Sequence, residues 1–506
     1  MIKIKNNGIK ILNISLFLCL TVITANILSY LSIQPDQIMD DFQPFFSFVD
    51  HGNYLISSID RLVTYTIPAH LGIHILDWAS SVVPWFRAFV IVLVSYLLSS
   101  FAFINLKKNI LHPVIFAGCY LGVLFVLLVT GWQLKCAEGF GRFVISNIFM
   151  LIFWLRFAKL FITQSEPDKK MMITLCFLGL ILGNVSELLA VSSAITLLLI
   201  LAYNNISKRK VLSNKTIMMP LIFIFIGGML MFFNPNYIEC SNYHTGNISV
   251  ISIIDGLKSY KAFLHIFLQK IILQHWTYYL LILVLGTISF FLPLDNNESR
   301  RTSLLSFFLT TGLLAFFLTF IASKGSVTHE IPDELFSYYY KSFWLVHHDF
   351  PVIIRLELLL VIMLTLFPII KKVEKYNLLF FIASVVLVVV AFFIGDYKQN
   401  ITHFKNETRD YRISLYKLDK IALYYYLNNK KIEIYYPEPW KEYFEIYPDY
   451  FKKVYNIKIK KEDITWLDSE KILYNFDQAG GLFTPEELAK LEFKKLRDKN
   501  FVLRKK

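Results

Sequence analysis

Cysteine, proline, glycine and charge are all scarce in this chain. Five Cys, 16 Pro and 20 Gly in 506 residues exclude a disulfide framework, a collagen-like repeat and a low-complexity tract. Charged residues make up only 18%, too few for a disordered chain or a coiled coil. Gly-x-Gly-x-x-Gly and Walker-type loops are missing, as is the H-E-x-x-H spacing of a zinc protease. What the chain holds instead is apolar sequence: 55% hydrophobic residues, with 46 Phe, 28 Tyr and 8 Trp. These come in blocks of about 20 residues, the length that crosses a bilayer. The composition is that of a polytopic membrane protein.

Lys and Arg outnumber Asp and Glu, 51 to 38, for a net charge of +13. Their location speaks against a nucleic-acid partner. Sixteen basic residues fall in about 50 residues of short connector: Lys3/Lys5/Lys10, Lys107/Lys108, Lys169/Lys170, Lys208/Arg209/Lys210/Lys215, Arg300/Arg301 and Lys371/Lys372/Lys375. The alternate loops span about 130 residues and hold only eight: Arg61, Lys135, Arg142, Lys258, Lys261, Lys270, Lys324 and Lys341. That asymmetry predicts which loops stay in the cytoplasm.

The first block, Ile11 to Ile33, follows a basic N-terminus and reads as an uncleaved signal-anchor, since no small-residue cleavage site follows it. Further spans are expected near Val82–Ile104, Leu111–Trp132, Phe143–Thr163, Thr216–Asn234, Trp276–Leu294, Ser303–Ala322, Ile353–Ile370 and Leu378–Asp396. The stretch Met171 to Asn204 is too long for one span and is interrupted by Gly183-Asn184-Val185-Ser186-Glu187. A helical hairpin there keeps both flanking Lys clusters on one side; a single span would invert every later loop. The expected fold is thus an all-α polytopic bundle of about 11 transmembrane helices, N-terminus in and C-terminus out. It occupies residues 1–396, with outer loops 34–81, 235–275 and 323–352. Trp78, Trp85, Trp132, Trp276 and Trp344 stand near outer span ends, where indole rings anchor.

The tail, 397–506, carries 23 Lys+Arg and 17 Asp+Glu and many Tyr. Leu415–Asn428 has helical periodicity, Lys431–Tyr436 alternates like a strand, and Thr484-Pro485-Glu486-Glu487 reads as a helix start. A short final strand, Phe501–Leu503, would complete a small extracytoplasmic α/β domain.

The sharpest constellation is Asp36-Gln37-Ile38-Met39-Asp40-Asp41-Phe42, directly outside the first span. Adjacent carboxylates repel, so a cation, a basic substrate or a raised pKa must stabilise them, unless they simply occupy a solvated turn. A signal-anchor, an acidic pair in the first outer loop, about 11 spans and an outer C-terminal domain together resemble the GT-C superfamily of integral membrane glycosyltransferases. The resemblance implies a sugar donor linked to polyprenyl phosphate. It also implies that Asp40 or Asp41 is the catalytic base or a metal ligand, with a divalent cation (Mg or Mn) as the cofactor. A carboxylate suits that role because the acceptor hydroxyl must lose a proton as it attacks.

His70 and His74 are spaced i, i+4 with Asp77 three further on, so a helix would put all three on one face, as a metal or substrate site or as the wet side of an interfacial helix. Glu187 within the apolar hairpin should face a cavity or a partner, or else cap a polar tip. Lys135, Arg142 and Arg355 are candidates for holding a lipid phosphate; Arg87 and Arg355 also fit the role of snorkelling anchors. The later outer loops carry His329-Glu330, Asp333-Glu334 and His347-His348-Asp349, with Tyr338–Tyr340 and Trp344 as sugar-stacking platforms or plain solvated surface. Cys19, Cys119 and Cys176 fall inside spans as packing residues; Cys136 and Cys240 both fall outward, so an oxidising compartment would leave a disulfide between them open, with no distance in the sequence to decide it.

The expected function is inverting transfer of a sugar to a cell-envelope glycan or lipid acceptor on the outer face of the cell membrane. A lipid-linked glycan transporter or flippase is a rival, disfavoured by few intramembrane charges. An O-antigen-type polymerase or ligase is another, expected to rely on outer-loop arginines and histidines.

Overall fold

The computed structural model describes residues 6–30, 62–67, 81–104, 111–130, 140–207, 211–232, 272–291, 297–328 and 350–373, the segments 432–435 and 464–467, and scattered single residues. Among these, ten α-helices follow one another: α1 (Asn6–Tyr30), α2 (Val83–Phe101), α3 (Leu111–Thr130), α4 (Ser146–Thr163), α5 (Lys169–Val185), α6 (Glu187–Ile206), α7 (Asn214–Phe232), α8 (Trp276–Phe291), α9 (Asn297–Thr328) and α10 (Phe350–Val373). Seven of them, α1–α4, α6, α7 and α10, are long and apolar enough to cross a membrane. Their outward residues are apolar as well: Ile11, Phe177, Phe225, Leu283 and Phe307 are all exposed. Water would not tolerate that belt and lipid does. The protein is an all-α membrane bundle, with α1 at its edge (22% of its span buried) and α10 at its centre (83%).

Local chemistry sets several helix ends. Asp168 caps α5 by accepting from the Met171 N–H at 2.7 Å. Gln164 adopts a left-handed conformation, φ 53°, and stops α4. Ser186 is the single extended residue between α5 and α6, inside the interruption expected from the sequence.

Pair contacts fix the relative helix directions. Asn13 of α1 meets His112 of α3 at 3.1 Å, and Thr24 meets Tyr120 at 2.6 Å, so α1 and α3 run parallel. Cys119 of α3 touches Met363 of α10, whereas Gly122 lies against Leu359; these two are antiparallel. Arg301 at the start of α9 donates to the Ile162 carbonyl near the end of α4 at 2.8 Å, and Lys371 at the end of α10 pairs with Glu298. Glu166, just before α5, accepts from Ser213 and Thr216 at the start of α7. The Asn204 amide near the end of α6 donates to the Leu212 carbonyl at 2.9 Å. Both open ends of the α5–α6 pair therefore return to one place, as the hairpin reading expects. Lys10, Lys169, Lys170, Lys215, Arg300, Arg301, Lys371 and Lys372 gather at this same end of the bundle, the lysine end.

Glycine brings α5 and α7 together. A Cβ on Gly183 would lie 2.1 Å from the Ile224 carbonyl, and one on Gly227 would lie 2.2 Å from the Leu180 carbonyl. Gly179 and Gly183 are spaced i, i+4, the small-residue pattern by which membrane helices reach backbone contact.

The element bounds shift from expectation at a few points. A π-helical turn, Gly141–Ile145, precedes α4, and α9 extends past both expected ends, Ser303 and Ala322. In the tail, strands β1 (Ile432–Tyr435) and β2 (Ile464–Leu467) pair in parallel with Ile432 opposite Ile464. β1 falls within the segment whose alternation predicts a strand. The expected span Leu378–Asp396, the helix at 415–428, the helix start at Thr484 and the strand 501–503 lie outside the described residues.

Candidate functional site

α10 enters the bundle at Phe350, away from the lysine end, and carries Arg355 and Glu357 about 8 and 10 Å along its axis at 1.5 Å per residue. Otherwise its buried length is almost continuous Ile, Leu, Val, Met and Phe. A charged pair inside such a run is costly in a membrane and marks a functional site by default.

α8 starts beside Arg355, through the single turn Leu273–His275. The Arg355 Nε donates to His275 Nδ1 across 3.5 Å, a long hydrogen bond. A guanidinium keeps its protons, so Nδ1 is the acceptor and the ring proton resides on Nε2. His275 is fully buried. Burial, and then the Arg355 charge, push its pKa from 6.5 down to about 3. The imidazole is therefore neutral at physiological pH and acts as a donor through Nε2–H. Neither that nitrogen nor the Tyr279 hydroxyl, one turn on, has a hydrogen-bond partner among the described residues. The Tyr278 ring meets His275 edge-on, centroids 6.4 Å apart.

Glu357 accepts from the Ser192 hydroxyl of α6 at 3.0 Å. The two groups open on a small cavity of about 10 Å³, lined also by Trp154, Ser193 and Thr196, at the lower bound of what one water needs. Ser193 accepts from the Trp154 indole N–H at 3.3 Å, and Thr196 donates to the Ser192 carbonyl at 2.8 Å. A membrane-embedded carboxylate thus faces a row of hydroxyls, while on another face of α10 Arg355 and His275 present cationic and neutral N–H groups. Such a pair of donors suits an anionic oxygen, as in a phosphate.

Of the sequence-derived candidates, Arg355 falls within this cluster. Its guanidinium is paired with His275 and only partly exposed, so it is not a free anchor reaching for the interface. Arg87 departs further from the snorkelling reading: it is 1% exposed, with its guanidinium 5.1 Å from the centre of the Phe140 ring. Arg142 lies in the π-helical turn ahead of α4, and Glu187 opens α6. Asp40, Asp41, His70, His74, Lys135, Cys136 and Cys240 lie outside the described residues. Cys119 and Cys176 are buried packing groups, whereas Cys19 is exposed on the edge helix α1. Trp85 and Trp276 are exposed near helix starts, as interfacial anchors should be. Among the described residues, no group of three or more His, Cys, Asp or Glu is placed to hold a metal ion.

The residues missed by sequence reasoning are Glu357 and His275. The first has a readable signal, Arg355-Leu356-Glu357 within an apolar run. His275 has none, because only the packing of α8 against α10 brings it to Arg355. No protein-family model, curated protein or solved structure matches the chain.

Proposed function

We propose that the protein is a membrane glycosyltransferase of GT-C type. It moves a sugar from a polyprenyl-phosphate-linked donor to a cell-envelope glycan or lipid at the outer face of the cell membrane. The observation that carries this reading is the Arg355–His275 pair, set at the end of the bundle away from the lysines. The positive-inside rule assigns the lysine end to the cytoplasm. The long polar segments 31–80, 233–271 and 329–349 join helices at the other end, where acceptor and donor sugar would meet.

The chemistry asks for three things. The acceptor oxygen attacks the anomeric carbon and forms the new glycosidic bond, and the carbon–oxygen bond to the phosphate breaks on the opposite side, inverting the configuration. The acceptor proton passes to a carboxylate, Asp40 or Asp41. Charge developing on the departing polyprenyl phosphate needs donors, and Arg355 with the neutral His275 Nε2–H supplies them. Arg142, Lys135 and Glu187 belong to the same end of the chain's topology and serve as further donor-phosphate or substrate contacts. A Mg or Mn ion held by Asp40 and Asp41 would share that charge.

The same pair favours a second reading, a glycan polymerase or ligase that relies on outer arginine and histidine rather than on the first-loop carboxylates. One assay separates them. With a polyprenyl-phosphate sugar and membranes holding the full chain, Asp40→Asn with Asp41→Asn abolishes transfer under the first reading. Full transfer by that double variant, lost instead in Arg355→Ala, selects the polymerase or ligase. Transfer unchanged in both variants refutes both.

A further inference from the structure

We propose that Glu357 is a proton-binding site within the membrane bundle, taking up and releasing one proton by exchanging hydrogen bonds with Ser192. Two distances on one hydroxyl carry the argument. Ser192 Oγ lies 3.0 Å from Glu357 Oε1 and 3.4 Å from the Leu189 carbonyl. It has one hydrogen. With Glu357 ionised, that hydrogen points to the carboxylate. With Glu357 protonated, the carboxyl O–H donates to Ser192 Oγ and the serine hydrogen turns to Leu189. Both states leave the pair satisfied, so neither is barred by an orphaned polar group.

Glu357 makes no ion pair among the described residues, and Arg355, two positions back, lies roughly 200° around the helix and is engaged by His275. The titratable or charged groups on the elements packed against this part of α10 are His275, Tyr278 and Tyr279 at the start of α8, Arg87 on α2, Cys119 and Tyr120 on α3, and Arg142 in the π-helical turn before α4. From α4, α6 and α9 the cavity receives Met150, Trp154, Ser192, Ser193, Thr196 and two leucines, none of which titrates. A carboxyl in this setting gains or loses a proton rather than trading salt bridges, and the adjacent cavity has room for about one water to carry it.

This inference stands apart from glycosyl transfer, because its test needs no sugar. A carbodiimide such as dicyclohexylcarbodiimide adds a protonated membrane carboxyl across its C=N bond, and acyl migration leaves a stable N-acylurea with no leaving group. The purified full chain is labelled between about pH 5 and 9 in choline and in sodium buffers, and the Glu357 peptide is followed by mass spectrometry. The expected result is labelling that falls as pH rises and is the same in both buffers. Ser192→Ala removes a bond from both forms, but the charge-assisted bond to the ionised form is the stronger, so the labelling midpoint moves up by up to roughly one pH unit. Glu357→Gln abolishes the label. Absence of label on a recovered wild-type peptide, or label independent of pH, overturns the proposal. Protection by sodium overturns it too and identifies a metal-cation site instead. Should Glu357→Gln fail to fold, the wild-type pH and sodium series still decides.

Discussion

The two ends of the helical bundle differ in how far their buried polar groups find partners. At the lysine end most polar side chains have partners among the described residues, with Asn13 Nδ2 and, further in, Ser306 Oγ as exceptions. Asn204 donates to the Leu212 carbonyl and Asn214 and accepts from the Val211 N–H. Glu166 takes the Ser213 hydroxyl and N–H and the Thr216 hydroxyl, and Asp168, Arg301 and Lys371 all have partners. At the other end, His275 Nε2, the Tyr279 hydroxyl and the Ser186 hydroxyl are buried without partners among the described residues. There the helices are held by backbone approach at Gly183 and Gly227. Saturated polar groups stabilise one arrangement and leave nothing over for a ligand. Leftover donors beside an arginine cost stability and are retained where something else is meant to meet them.

That contrast can be broken in four ways, in order of effect. Gly183→Leu drives a side chain into the Ile224 backbone; an overpacked contact that neither helix can relieve costs ~3 kcal/mol or more. Loss of monodisperse protein, or a steep fall in Tm in detergent, is the expected outcome, and an unchanged Tm would show that the glycine seam holds nothing. Next, Arg355→Ala lowers sugar transfer roughly 10²-fold, the effect of removing one donor to developing charge, whereas Lys371→Ala at the lysine end leaves transfer near wild type. Comparable losses in the two variants would erase the distinction between the ends.

Acid supplies the third test. His275 has a folded pKa depressed to about 3 from 6.5, so between these values the unfolded chain binds a proton that the folded chain refuses. The His275 contribution to stability is fully present above about pH 6.5 and is lost as pH falls toward 3. In His275→Asn the Tm loses this component of its acid sensitivity, read as a shallower slope of Tm against pH. The smallest effect is expected for Glu166→Gln. Desolvation raises the Glu166 pKa slightly, but the Thr216 and Ser213 hydrogen bonds outweigh it and hold the carboxylate below its ordinary value. Because the group is exposed, its loss costs under about 1 kcal/mol, seen as a small drop in Tm with transfer intact.

Much of this architecture was legible beforehand, for a definite reason. Lipid forces each crossing segment to be a continuous apolar helix, so α2, α3, α4, α6, α7 and α10 stand where apolar blocks do. The break at Ser186 falls where Gly183–Glu187 interrupts such a block. Basic residues sort by end because carrying Lys or Arg across a bilayer is costly, and that alone predicts the common location of Lys169, Lys215, Arg300 and Lys371. The site was less legible. Arg355 could be singled out as a charge near a helix end, but its partner could not, since His275 is 80 residues away and no local pattern encodes which helices pack together. Arg87, which reads as a surface anchor, is buried because α2 turns that face toward Phe140 rather than to lipid.

The scarcity of charge with which the sequence presents itself determined the class of the molecule, its helical spans and the sorting of its basic residues, because these follow from one-dimensional transfer energetics between water and lipid. Tertiary packing alone decided that α8 lies against α10, so that a neutral His275 meets Arg355, and that α6 lies against α10, so that Ser192 meets Glu357. Those meetings depend on side-chain volumes and glycine contacts summed over several helices at once, and no single stretch of sequence contains that sum.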